Sequence, residues 1–195
     1  MKINRTIYSV LFLMITSLVS ACSQSEVQAE YKKINEAWNQ ILISYQERSD
    51  LLTYVLDEII DDPETDNHLV QSAINSNNEF ILIQRSPDIQ KNTTAMTQFV
   101  KYESKASEDL SQILLNLKKN NYHRSEVLID TSNEIYQIEH EIAKLKLSYI
   151  SAVQNYNNKI GSFPNNIYKI LGVTHEMPYL PLMNEGQTTS MPIKK

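Results

Sequence analysis

From Val27 to Ile59 one series of positions advances by alternating steps of four and three: Val27, Tyr31, Ile34, Trp38, Ile41, Tyr45, Arg48, Leu52, Val55 and Ile59. Arg48 is the one polar member. A stripe with a 3.5-residue repeat, sustained for about nine turns of about 3.6 residues each, is a helical seam that needs another helix against it. Leu42 and Leu56 widen the stripe, so this helix is expected to touch more than one neighbour. The chain has three glycines, and none falls between Cys22 and Gly161. Scarce glycine favours long helices over a turn-rich β fold.

The remaining chain repeats the pattern. Asp61-Asp62-Pro63 ends the first helix, because a residue before proline avoids the helical region. A second helix is expected over Thr65 to Gln84, with Leu69, Ala73, Phe80 and Ile83 on one face. Asn75, Asn77 and Asn78 weaken that expectation. Ser86-Pro87-Asp88 reads as a stop and restart, with Ser86 as N-cap and Pro87 in the first turn. The third helix then runs to Lys119, its seam made of Met96, Phe99, Glu103, Ala106, Leu110, Ile113 and Leu117. Lys118-Lys119-Asn120-Asn121 reads as a turn. The last long helix, Ser125 to Ile160, has its inner face at Leu128, Thr131, Ile135, Ile138, Ile142, Leu145, Tyr149, Ala152, Tyr156 and Ile160. Gly161 is placed as its C′ residue, and Pro164 blocks continuation. That helix alone would reach about 54 Å at about 1.5 Å per residue. The fold expected is all-α: an elongated antiparallel four-helix bundle, with a short C-terminal helix over Asn165 to Leu171 and an irregular tail. Met177, Tyr179, Leu180 and Leu182 are expected to drape that tail over the bundle, with 185–195 mobile.

The N-terminus constrains location. Lys2 and Arg5 precede an apolar stretch, Ile7 to Val19, that ends in Ser20-Ala21-Cys22. Its 13 residues are short for a membrane-spanning helix, which takes about 20. A charged start, a short apolar region and small residues before cysteine resemble a bacterial lipoprotein signal. On that reading residues 1–21 are removed and Cys22 becomes the acylated first residue. A short linker (22–25), the bundle (26–172) and the tail (173–195) follow. Ordinary secretion after Ala21 and a retained N-terminal anchor are the alternatives. Two or more acyl chains suffice for stable anchoring. Removal of Lys2 and Arg5 takes the formal charge from -5 to -7. A net negative body argues against nucleic-acid partners and against electrostatic attachment to anionic lipid. Cys22 is the single cysteine, so no intrachain disulfide can form.

Two stretches resemble the LemA family. The first is Ala37-Trp38-Asn39-Gln40-Ile41 followed by Arg48, Asp50, Leu51 and Leu52. The second is Glu139-His140-Glu141-Ile142, then Tyr149, Ala152-Val153, Tyr156-Asn157, Ile160, Phe163-Pro164 and Gly172-Val173. The resemblance covers about Tyr31 to Val173 and is poor beyond. It implies a long antiparallel bundle of four helices attached to the cell envelope, with Trp38, Ile41, Tyr149, Tyr156, Phe163 and Pro164 as motif positions of the core. Family members usually keep an N-terminal transmembrane helix where this chain has its cysteine-ended signal. They also typically have Glu-Asn-Arg-Ile at 139–142 and Ala-Arg at 145–146, so Glu141 stands in place of an arginine. The resemblance implies fold and location rather than a reaction.

Signs of chemistry are sparse. Arg48 has two readings: a binding or assembly residue, or a structural side chain that snorkels to solvent or pairs with a carboxylate such as Glu103 or one on the last helix. Asp50 lies off its helical face. Glu139, His140 and Glu141 form a polar surface that can serve interaction or structure. Trp38 has a place in the seam between Ile34 and Ile41, and its alternative role is a partner anchor. His68, His123, His140 and His175 show no four-residue spacing of the kind two metal ligands take on a helix. There is no phosphate-binding glycine loop, nucleophile elbow or zinc-protease motif. No catalytic residue, cofactor or metal is expected.

The function expected is a non-enzymatic scaffold or adaptor of the bacterial cell envelope. Its helical body lies outside the cytoplasm, tethered through Cys22 and meeting an envelope protein. The alternative is an extracytoplasmic module binding a lipid or another small ligand. Cys22→Ser should release the protein from the membrane fraction while the bundle stays folded. Fractionation with circular dichroism reads both. Continued processing and membrane retention would reject the lipid attachment.

Overall fold

The computed structural model describes residues 3–63, 65–87, 89–119 and 125–180, with side chains from Ser25 onward. The side chain of Cys22, residues Asn120, Asn121 and His123, and the tail from 181, including Leu182, lie outside the described residues. The elements are α1 (Ile3–Ile59), α2 (Asn67–Gln84), α3 (Thr93–Lys119), α4 (Glu126–Gly161) and the short α5 (Asn166–Ile170). Among the described residues there is no strand. α1 runs without a break through 22–25, the segment expected as a linker.

α1 pairs with α4 from Glu26 onward, and α2 pairs with α3. The α1–α4 register is antiparallel and regular. Tyr31 meets Tyr156, Trp38 meets Tyr149, and Arg48 meets Glu139. Each step up α1 matches an equal step down α4. Phe80 on Phe99 and Ser72 on Asp109 set α2 antiparallel to α3. The chain therefore goes up, down, up and down, as short connections demand.

The seam read from α1 is buried from Ile34 to Ile59, and every position of the α3 seam is buried. Four local expectations need correction. On α2 Ala73 and Phe80 are buried as expected, but Leu69 and Ile83 are only half-buried against the core, and Val70, Ser76 and Asn77 are buried beside the expected pair. Asp66 caps this helix, accepting from the backbone N–H groups of His68 and Leu69. α3 does not restart at Pro87; Asn92 Oδ1 accepts from the Thr94 N–H at 2.8 Å, and the helix begins there. The connection before it buries Ile89 in the core, which outweighs the local Ser-Pro start signal. On α4, Val153 rather than Ala152 is fully buried. Gly161 is the last helical residue rather than a left-handed C′ residue, and α4 is capped by Ser162. Left-handed backbone instead appears at Gly172, with φ of 72°. There the Gly172 N–H donates to the Lys169 carbonyl and the Val173 N–H to the Tyr168 carbonyl, a Schellman ending for α5.

After α5 the chain folds back along α4. Asn157 donates from Nδ2 to the Met177 carbonyl and accepts the Met177 N–H on Oδ1, both at 2.9 Å. The Tyr149 hydroxyl donates to the Pro178 carbonyl at 3.4 Å. Met177 and Leu180 join the core, while Tyr179 stays exposed. Ile142 lies fully buried in that same core. Ile142→Asp should cost more than about 3 kcal/mol, since it buries an unpaired carboxylate. Chemical denaturation with near-wild-type stability would contradict this packing.

Candidate functional site

The core is not continuous. Trp38, Tyr45, Phe80, Phe99, Tyr149 and their neighbours form one apolar cluster. Leu52, Val55, Ile59, Val70, Leu110, Ile113, Leu128 and Ile135 belong to a second. Between them every helix contributes polar residues. α1 places Arg48 between Tyr45 and Leu52, and α3 places Glu103 and Ser107 between Phe99 and Leu110. α4 places Glu139 between Ile135 and Ile142, and α2 places Asn77 between Ala73 and Phe80.

Arg48 is the largest fully buried side chain among the described residues, at 2% exposure. Its Nη1 donates to Glu139 Oε1 and to Ser107 Oγ, each at 2.8 Å, and lies 3.8 Å from Glu103 Oε1. Lys146 of α4 donates to Glu103 Oε1 at 3.0 Å, and Ser107 donates to the same atom at 3.2 Å. The guanidinium carbon sits 4.8 Å from the Tyr45 ring centre and 5.3 Å from that of Phe80. Lys146 Nζ approaches the Tyr45 ring at 5.6 Å. One arginine thus touches side chains of α1, α2, α3 and α4. Two cations and two carboxylates balance, and aromatic faces supply the remaining stabilisation.

The electrostatics follow. Burial would lower the Arg48 pKa, but the charges of Glu139, Tyr45 and Glu103 outweigh it and leave it raised. Burial would raise the Glu103 pKa, but Lys146 and then Arg48 reverse this and hold it below the usual carboxylate range. Burial, then the neighbouring Glu103 charge, pushes the Tyr45 hydroxyl well up. These shifts keep Arg48 cationic, Glu103 anionic and the Tyr45 hydroxyl neutral near neutral pH. The cluster is built for permanent pairing rather than proton exchange.

The other residues singled out from the sequence do not gather here. Asp50 is exposed and accepts from Gln46 Nε2 at 2.8 Å on its own helix. His140 and Glu141 are exposed on α4, while Glu139 is drawn inward. Trp38, Ile41, Tyr149 and Tyr156 are core residues, and Trp38 packs between Phe99 and Tyr149 at 5.1 and 5.4 Å. Phe163 is not a core residue: it is 80% exposed just past the end of α4. Pro164 beside it is half-buried. Tyr31 is also outside the buried seam, resting on Tyr156 with one face open. Sequence reasoning did not single out Lys146 or Ser107. Ser107 lies four residues beyond Glu103, the spacing that puts two side chains on one helical face. Among the described residues no three His, Cys, Asp or Glu side chains gather in a way that could hold a metal ion.

Folding depresses the Glu103 pKa, so the unfolded chain binds that proton more tightly. The stabilisation is therefore full above the ordinary carboxylate range and is lost as pH falls through the depressed folded value. Glu103→Gln should lower stability near neutral pH by about 3 kcal/mol and flatten this acid limb. Urea unfolding from neutral to acid pH checks both, and an unchanged acid limb would remove Glu103 from the account.

The profile of the LemA family matches residues 37–194. The match continues past Val173, where the family resemblance seen in the motifs weakens, and takes in the tail clasped by Asn157. None of the curated proteins compared with the chain matches it. With a match over most of its length and four long helices packed as described, the chain belongs to the LemA family.

Proposed function

We propose that this protein is a non-enzymatic scaffold or adaptor of the bacterial cell envelope. Cys22 carries the lipid, and the helical body stands outside the cytoplasm and presents its polar faces to a protein partner. The observation that carries this reading is a closed interior. Aromatic rings of Tyr45, Phe80, Phe99, Trp38 and Tyr149 stack at 4.8 to 5.8 Å across the bundle. The charged groups at its centre are committed to one another. Residues left for recognition are on the outer faces, among them Asp50, His140 and Glu141. Family membership and the cysteine-ended signal support the envelope location.

The native protein, extracted gently from membranes, should carry an acylated Cys22 by intact mass and bring down one recurrent partner. The combined Asp50→Ala, His140→Ala and Glu141→Ala variant should lose that partner while melting as the parent does, because all three positions are exposed. A monodisperse protein with no recurrent partner would count against the adaptor. An unmodified Cys22 would count against the tether.

A further inference from the structure

The end of the bundle where α4 stops carries an uncovered apolar tip. Phe163 and Ile170 are each 80% exposed, Leu171 69% and Val173 67%, with Ile167 beside them on α5. Single exposed apolar residues are ordinary, but several clustered on one short helix and its flanking turns mark a contact surface. The cluster has a defined shape, since the Schellman ending at Gly172 and the Asn157 clasp fix both sides of the turn.

Its height on the rod identifies what it meets. Lys159 pairs with Glu26 at 3.0 Å, and Tyr156 rests on Tyr31. Carried on by the same antiparallel register, Phe163 stands level with the residues just after Cys22. From that end α1 continues toward Ile3 through the apolar stretch Ile7 to Val19. With the N-terminal attachment proposed above, lipid begins at the level of the tip, whether the chain is held by acyl groups or by a retained anchor. The local lysines carry no uncompensated charge into that interface: Lys159 is paired with Glu26 and Lys169 with Glu176.

We infer that the α5 tip is a second, shallow membrane contact, in which Phe163, Ile170 and Leu171 enter the boundary between lipid headgroups and acyl chains. This rests on the proposed attachment at the N-terminal end. A contact from α5 as well as from the N-terminal attachment fixes the tilt of the rod, where the N-terminal attachment alone would let it pivot. Because the contact is apolar, it takes zwitterionic and anionic lipid alike.

The test uses the full chain, acylated at Cys22, in vesicles of phosphatidylethanolamine and phosphatidylglycerol. An environment-sensitive fluorophore is placed at Ile170→Cys, at Phe163→Cys as a second tip position, and at Gln112→Cys on exposed α3 surface far from the tip. Both tip labels should shift to the blue and be quenched severalfold more by lipid-borne nitroxide than the Gln112 label. Replacing the anionic lipid should leave this unchanged. Tip labels open to aqueous iodide on protein that floats with the vesicles would overturn the inference and leave the anchor standing. Protein that does not float would overturn the anchor and the inference with it. Tip labels shielded from both quenchers would mean that protein, not lipid, covers the tip, and would equally overturn it.

Discussion

A guanidinium buried among four helices dominates the structure. Arg48 cannot shed its charge, so every helix has to bring it something: a carboxylate from α4, a hydroxyl and a second carboxylate from α3, a ring from α2. Desolvation consumes much of what such a network gains, so its contribution is to specificity more than to stability. Sliding α1 by one heptad against α4 would put Arg48 opposite Lys146 or Ser132 instead of Glu139. A similar slip against α3 would bury it among Met96 and Val100, or among Leu110 and Leu114. The two apolar clusters on either side would tolerate such slips far better, because their seams repeat. The charged layer is what makes one alignment of four long helices better than its neighbours.

With the alignment set, the rod divides into unlike ends. The half beyond Arg48 toward Ile59 is a four-helix core of aliphatic side chains. The half toward Val27 is richer in rings and is completed by parts that are not long helices: Ile89 from a connection, and Met177 and Leu180 from the tail. Just past α4, Phe163 and the Ile167 and Ile170 side chains of α5 are left outside. The interior serves cohesion, and recognition falls to the surface and the ends.

Long seams were legible in the sequence because they repeat many times. α3 kept all its expected core positions, and α1 lost only Tyr31, which rests on Tyr156 with one face open. On α2 only Ala73 and Phe80 of the expected face are buried, because the polar layer puts Ser76 and Asn77 inside, and buried polar residues look like a solvated face. The pairing of Arg48 with Glu103 was accessible from the interruption of two seams by opposite charges. Lys146 was not, since it sits at the margin of the α4 stripe and only the packed helices show which carboxylate it reaches. Phe163 was assigned to the core from its motif, yet exposure depends on where the bundle ends, and no local pattern encodes that.

The clasp between Asn157 and Met177 has its own consequence. An amide side chain that pairs with one residue's N–H and C=O together imitates the neighbouring strand of a sheet, and it reads main chain rather than side chain. Residue 177 can therefore drift among side chains of similar bulk without loosening the tail. Proline is the exception, because it has no N–H to give. The tail is held by its backbone, so its sequence is freer to change than its path.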